Sequence, residues 1–375
     1  MKLTISKNNL LNSINIVSKA VPNKTTMSIL ECIMIDATES DIVMIANDME
    51  LGIQTTVEGE IEEHGKIAVN ASIFSNIVRK LPDNDVFIRT EGEKINIVCE
   101  KAKFSILGKK GDDFTYLPEM ERNEGIRVSQ YTLKNIISRT IFSISTNESN
   151  GMMTGELLEI KDGSLRMVAL DGHRIAIRNV ALQDGGQEKK VIIAGKTLNE
   201  ISKILLGDTE RFVDIYITDK HILFMFDQTI VVSRLIEGNY YGIDSMLTNQ
   251  YTSTATLKRQ ELLNCLDRAT LLVKEDDKKP IIMMISDSSM ELKINTTIGS
   301  MDEIIDIEKT GENMNIGFNP KFIIDALRAI DDEMITLYLV SPKAPCFIRN
   351  DIGENADAMN NYCYLILPVN FITVD

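Results

Sequence analysis

The chain has 375 residues, 44 % of them hydrophobic, and a formal net charge of −15. That length suits two or three domains with ordinary cores. Five scattered cysteines (Cys32, Cys99, Cys265, Cys346 and Cys363) without a C-x-x-C pair, and three distant histidines (His64, His173 and His221), argue against a disulfide framework or a metal centre. No charged-then-apolar leader opens the chain and no run of about 18 apolar residues occurs, so a cytoplasmic protein with no membrane span is expected.

Residues 2–5 read as a strand. Residues 7–20 follow as a helix, with Leu10, Leu11, Ile14 and Val17 on one stripe and Ser6 placed to cap it. Strand character at 29–35 and 42–46 precedes a second helix over 71–81, and a further strand is expected at 95–99. The order then restarts. Ser129 is placed to cap a helix bearing Leu133, Ile136, Ile137 and Ile141, followed by strand character at 165–169, a helix over 196–205 and a strand at 222–226. A third round carries the stripe Leu262, Leu263, Leu266 and Ala269, strand character at 290–294, and a helix over 320–330 with Pro320 in its first turn. Strands outnumber helices by about four to one, which places the chain in the α+β class.

Three copies of one pattern are therefore expected. Leu10, Leu133 and Leu262 correspond in the first helices, at steps of 123 and 129 residues. The strands that follow begin near Ile29, Met152 and Ile281, again 123 and 129 apart, and Phe74, Leu198 and Phe322 correspond in the second helices at 124 and 124. A period this long means a triplicated domain, whereas solenoid units run ~20–50 residues. Turn-rich stretches at 117–123 and 247–252 set expected domains of 1–120, 121–250 and 251–375, each with two helices packed on antiparallel sheets. Triplication of a whole domain favours a curved or symmetric scaffold over an enzyme.

The acidic total hides a segregated distribution. Residues 1–30 hold Lys2, Lys7, Lys19 and Lys24 ahead of the first acid, Glu31. Residues 65–82 hold Lys66, Arg79 and Lys80, and residues 126–147 hold Arg127, Lys134 and Arg139, in both cases without a carboxylate. In the third repeat Lys258, Arg259, Arg268 and Lys274 are offset by Glu261 and Asp267. Either these are ordinary solvated faces, or the helices form an electropositive surface that attracts a polyanion through its phosphates.

Four motifs carry a family resemblance. Asp171-Gly172-His173-Arg174 follows a strand, and Gly195-Lys196-Thr197-Leu198-Asn199-Glu200 opens a helix. Leu235-Ile236-Glu237-Gly238-Asn239-Tyr240 closes the second repeat, and Tyr364-Leu365-Ile366-Leu367-Pro368-Val369 lies near the C-terminus. With the threefold repeat, and over the whole chain, they resemble the bacterial DNA polymerase III beta subunit, the replicative sliding clamp. The resemblance implies a head-to-tail homodimer closed into a ring around double-stranded DNA, helices inside and sheets outside, with no catalysis and no cofactor. It implies sequence-independent DNA contacts from Lys7, Lys19, Lys24, Arg79, Lys80, Lys134, Arg139, Asn147, Lys196 and Lys203. Ring closure would set Phe104 and Ile106 of one subunit against Leu271 and Leu272 of the other.

The same resemblance implies a peptide pocket between the second and third domains, built from Met153, Leu170, Gly172, His173, Arg174, Ile175, Tyr241, Met246, Leu367, Pro368 and Val369. Its partners would be the replicative polymerase alpha subunit, the clamp loader and other proteins carrying a clamp-binding motif. Tyr241-Gly242 stands where the family often has Pro-Asp, and Ser245 and Asn370 stand where arginines are common, departures that bear on peptide affinity. Two other readings stay open. Asp171 and His173 could form an acid–base pair, although no nucleophile, phosphate loop or metal spacing accompanies them. A scaffold that binds peptides without DNA is the other, and the acid-free helices of the first two repeats favour DNA over it.

Overall fold

The structure, a computed structural model, describes residues 1–147, 149–183, 185–273, 279–352, 357 and 359–371. Among these are six α-helices: α1 (Lys7–Val17), α2 (Ala71–Lys80), α3 (Gln130–Ser138), α4 (Gly195–Ile204), α5 (Arg259–Thr270) and α6 (Pro320–Arg328). Short polar side chains start four of them by taking an otherwise orphaned backbone donor. Ser6 accepts from Asn9 N at 3.3 Å, Asn70 from Ile73 N at 3.0 Å, Ser129 from Thr132 N at 3.0 Å and Asn319 from Lys321 N at 3.1 Å. Pro320 occupies the first turn of α6, where its missing N–H costs nothing.

Several expected boundaries shift. The strand assigned from Ile29 runs Cys32–Ala37, with Ile29 in a turn, and the one assigned near Met152 runs Gly155–Lys161, preceded by the 3-10 turn Gly151–Thr154. Only Ile281 opens its strand, Ile281–Ile285. Leu30 is buried from within the turn, so an apolar run there reports burial and not a strand. Ile141 also falls outside its helix, in the 3-10 turn Ile141–Ser143. The Thr140 N–H bonds back to Ile137 O, tightening the chain as α3 ends.

The chain divides into two compact units, Met1–Leu133 with Glu200–Leu235, and Lys134–Asn199 with Ile236–Asp375. The first unit contains a five-stranded sheet ordered Glu60–Glu63, Lys2–Ser6, Asp85–Glu91, Lys94–Cys99, Ala102–Leu107. It also contains a nine-stranded sheet in which Leu51–Val57 of the first repeat pairs antiparallel with Thr229–Arg234 of the second. The second unit repeats the plan. Its nine-stranded sheet pairs Arg174–Ala181 with Asn361–Ile366, and a four-stranded sheet runs Ser300–Asp306, Ser289–Asn295, Ile281–Ile285, Met314–Phe318. Each long sheet therefore crosses from one repeat into the next, and main-chain hydrogen bonds take the place of a linker.

Helices cover these sheets with the stripes read from the sequence. Leu10, Ile14 and Val17 of α1 are fully buried, as are Leu262, Leu266 and Ala269 of α5. The core of the second unit's C-terminal part gathers α5, α6 and the inner faces of both of its sheets, with Phe318, Leu327 and Tyr364 among its largest members. All five cysteines are free and buried. No helix among the described residues is long and apolar enough to cross a membrane.

Candidate nucleic-acid interface and partner pocket

The expected DNA-contacting residues divide by what already holds them. Lys24 is exposed on the loop after α1, and Arg79 and Lys80 are exposed in the last turn of α2, where Arg79 Nη2 donates to Ser75 Oγ at 3.3 Å. Lys196 is exposed at the start of α4, Asn147 is exposed, and Lys7 and Lys134 are half-buried. Three others lie against carboxylates. Lys203 Nζ lies 2.6 Å from Glu200 Oε1, and Lys19 Nζ lies 4.0 Å from Glu200 Oε2. The Arg139 side chain is only 13 % exposed and its Nη2 is held by Asp331. Arg139 is thus tied to Asp331 within the second unit. The third repeat is more fully neutralised, with Lys258 on Glu261 at 3.0 Å, Arg328 on Asp267 at 3.0 Å, and Arg268 on Glu303. Lys274 lies outside the described residues. Sequence reading passed over Asn8, Asn12 and Asn15, which give α1 an exposed, carboxylate-free polar face. Their recurrence every three to four positions was the available signal.

Four of the expected partner-pocket residues meet at one apolar platform in the second unit. Leu170 and Ile175 belong to a buried cluster with Ile177, Tyr240, Phe347 and Leu365, and Met153 and Tyr241 pack against it. Tyr241 is pinned by an edge contact with Tyr240 at 6.0 Å and by Asn150 Nδ2, which donates to its hydroxyl at 2.8 Å. Met246 is exposed on the 3-10 turn Ile243–Met246. Leu367 is partly exposed, with its N–H donating to His173 O at 2.9 Å, and Val369 N donates to Gly317 O at 2.8 Å. Pro368 between them is half-buried.

The turn at the platform's edge is built by Asp171. Its Oδ1 accepts from His173 N at 2.9 Å and from Arg174 N at 3.1 Å, which requires Gly172 in the left-handed region, at φ 87. His173 is exposed and stacks on Phe322 of α6, ring centroids 6.1 Å apart. Arg174 is different: it is 8 % exposed, and its three guanidinium nitrogens go to Asp171 Oδ2 (3.0 Å), Asp325 Oδ2 of α6 (2.7 Å) and Phe142 O. Its Cζ lies 4.5 Å from the Phe322 ring centroid. Arg174 is therefore a strut that sets the turn, its guanidinium nitrogens already given to acceptors within the chain. Asp325, Phe322 and Phe142 were missed because they come from distant parts of the chain.

One buried acid sits behind this region. Glu156 is fully buried, its Oε2 is 2.8 Å from Thr140 Oγ1, and Oε1 has no partner among the described residues. Thr140 Oγ1 also lies 2.8 Å from Ile136 O. A hydroxyl has one hydrogen, so if it goes to Ile136 O the Thr140 oxygen is left to accept from a protonated Glu156. Burial pushes the carboxyl up from 4.5 to about 8, against a smaller opposing effect of the Thr140 bond. The folded state then binds a proton that the unfolded chain releases above about 4.5. Stability from this group is complete below that pH and falls as pH rises toward about 8. Glu156→Gln is expected to remove this loss and raise stability at pH 8 by a few kcal/mol, roughly 1.4 per pH unit of the window. Urea melts of both forms at pH 5 and pH 8 check it; an equal pH response would mean Glu156 ionises freely.

Each unit also ends one sheet in an open strand. In the first, Ala102–Leu107 closes the five-stranded sheet, with Phe104 and Leu107 exposed, Ile106 half-buried, and Lys101 and Lys103 exposed alongside. In the second, Ser300–Asp306 closes the four-stranded sheet, with Ile304 exposed among Asp302, Glu303 and Asp306. Leu271, 79 % exposed, follows α5, and Leu272 packs on the second unit's core, its Cδ2 3.6 Å from where a Cβ on Gly299 would stand. Unpaired edge strands with exposed apolar side chains are ready to pair with another chain.

Comparison with known proteins places the whole chain. The DNA polymerase III beta subunit profiles match in order: the N-terminal domain over residues 1–118, the central domain over 127–241 and the C-terminal domain over 244–367. The beta sliding clamp of Staphylococcus aureus is 31 % identical over 380 residues, spanning 98 % of this chain and 99 % of that one. A protein of Eubacterium rectale whose crystal structure is described as a DNA polymerase III beta subunit is 59 % identical, with a TM-score of 0.94 over 99 % of this chain and 100 % of that one. The DNA polymerase sliding clamp of Bacillus subtilis superposes with a TM-score of 0.93 at 32 % identity, over 99 % and 100 % of the two chains. With three clamp-type domains matched in order along its length, this chain belongs to the DNA polymerase III beta-subunit family, the non-catalytic sliding clamps of DNA replication.

Proposed function

We propose that two copies of this chain join head to tail into a closed ring around duplex DNA in the cytoplasm, and that the ring tethers the replicative polymerase. The observation that carries this reading is the pair of open, oppositely charged strands. Ala102–Leu107 is flanked by lysines, and Ser300–Asp306 carries three acids, of which Glu303 is paired with Arg268 and Asp302 lies 3.5 Å from Lys293, so one edge of each kind on every copy suits two identical junctions related by a twofold axis. Phe104, Ile106, Leu271 and Leu272 are the apolar contacts in this arrangement, and the domains run 1–120, 121–250 and 251–375. Lys24, Arg79, Lys80, Lys134 and Lys196, with Asn147 and the asparagines of α1, attract the backbone without reading sequence. Partial neutralisation of Lys19 and Lys203 by Glu200 suits a surface that must slide. The platform around Leu170, His173 and Leu367 receives apolar anchors from peptides of the polymerase alpha subunit and the clamp loader.

Retention on a nicked circular plasmid, loaded with the matching clamp loader and ATP, tests the proposal. Retention on the circle and loss after linearisation is the expected result; equal retention on both forms means surface binding and rejects encirclement. Reversing Lys24, Arg79 and Lys134 to glutamate together is expected to cut polymerase stimulation about tenfold at physiological salt, with the salt slope falling by roughly 0.9 per lost contact and the dimer intact. Unchanged stimulation would reject the electropositive lining.

A further inference from the structure

The repeat carries a second pocket. The turn that edges the partner platform is rebuilt in the first unit, between strands Ile42–Asn47 and Leu51–Val57. Asp48 Oδ1 accepts from Glu50 N at 3.0 Å and Leu51 N at 2.7 Å, as Asp171 Oδ1 accepts from His173 N and Arg174 N. Asp48 N donates to Leu51 O at 3.0 Å, as Asp171 N does to Arg174 O at 3.3 Å. The strand arriving from the following repeat is held in the same way. Arg234 N donates to Glu50 O at 2.8 Å, as Leu367 N does to His173 O at 2.9 Å. Residue for residue, Glu50 therefore stands where His173 stands, Gly52 where Ile175 stands, and Arg234 where Leu367 stands.

Two details show that this second turn is more than a vestige. Met49 occupies the position of Gly172 at φ 78, a conformation that disfavours any side chain, yet a flexible apolar one is kept on the rim. Gly52 has no side chain because Leu117 fills that space: a Cβ there would lie 1.9 Å from Leu117 Cδ2. Beside Leu117 remains a cavity of about 260 Å³, lined also by Met49, Glu50, Thr115, His221 and Val232. That is below the ~300–1,000 Å³ of whole-ligand sites, so it suits one bulky side chain and not a small-molecule ligand.

We propose that this cavity is a second peptide-docking site, which takes a linear segment with one large apolar side chain followed by basic residues. Charge selects the occupant. Where the first pocket presents His173, this one presents Glu50, 67 % exposed, with Glu119 exposed just beyond the lining residue Pro118. Arg234, 3.6 Å from Glu50, is itself half-exposed, a solvent-screened pair that an incoming lysine replaces at little cost. A partner that engages both pockets gains by effective concentration without a larger contact at either. The site stands on the first unit's geometry and does not depend on ring closure.

The probe is a fluorescein-labelled decapeptide carrying Leu-Phe followed by three lysines, titrated by anisotropy against the full-length chain and against Leu367→Asp, which blocks the first pocket. One site per chain is expected to survive in Leu367→Asp. Its affinity is expected to fall at least about fivefold on Glu50→Lys, and similarly on Thr115→Trp, which narrows the exposed mouth. Replacing the probe's lysines with glutamates is expected to weaken it further. Loss of all binding in Leu367→Asp, or residual binding indifferent to both Glu50→Lys and Thr115→Trp, overturns the proposal. Circular-plasmid retention of Glu50→Lys is expected at the unaltered level, so failure of this site and failure of the clamp reading are read separately.

Discussion

Replacing Leu271 and Leu272 together with glutamate is expected to convert dimers into monomers and abolish retention on circular DNA. Buried apolar anchors at an interface are worth about 2–4 kcal/mol each on truncation, and the proposed ring has two junctions, so the pair acts twice and four leucine anchors are lost. Placing carboxylates there adds the cost of desolvating two charges in the junction. Leu271 makes the cleaner probe, because at 79 % exposure it contributes little to its own unit, whereas Leu272 packs on the core. Leu271→Glu alone is therefore expected to weaken association with an unchanged melting temperature of the monomer. Sedimentation at micromolar and nanomolar protein checks both variants, and a dimer of undiminished stability would reject the interface. The complementary charges of the two edges add that association weakens as salt rises past about 0.15 M, where screening acts within about 8 Å.

What the sequence disclosed, and what it withheld, follows from the range of the interactions involved. Helix stripes and caps are local, so Leu10, Ile14 and Val17, and the caps Ser6 and Ser129, could be read directly. Strand starts were less legible. Leu30 is buried from a turn, and the apolar run around it carries no mark separating turn from strand. Sheet continuity was invisible, since the pairing of Leu51–Val57 with Thr229–Arg234 joins segments more than 170 residues apart. The same limit governed the site. The Asp171–Arg174 motif was legible, but two of the acceptors that consume Arg174 lie on α6 and after α3, and nothing local announces them. The tie between Arg139 and Asp331 was hidden for the same reason, the two being 192 residues apart. A charge in sequence is not a charge on a surface until its neighbours are known.

Arg174→Met is expected to destabilise the second unit by about 3–5 kcal/mol and to abolish peptide binding at the platform, because removing one member of a buried ion network strands the others. Asp325 and Asp171 Oδ2 would each lose a charged donor at 2.7 and 3.0 Å, and Phe142 O would lose its donor too. Methionine fills comparable volume against Phe322 and Phe142, so packing loss alone does not explain a change of that size. Arg174→Lys separates charge from shape. It keeps one cation but cannot reach three acceptors or lie flat on Phe322, so intermediate stability and weakened binding are expected. Adding Asp325→Asn to Arg174→Met is expected to return part of the stability by removing a stranded carboxylate, while leaving binding lost because the turn carrying His173 stays unbraced. That split between melting temperature and peptide affinity is the signature of a positioning role. If the double variant recovered both together, Arg174 would act through global stability alone; if Arg174→Met bound peptide normally, the turn would hold without its strut, on the two bonds to Asp171 Oδ1.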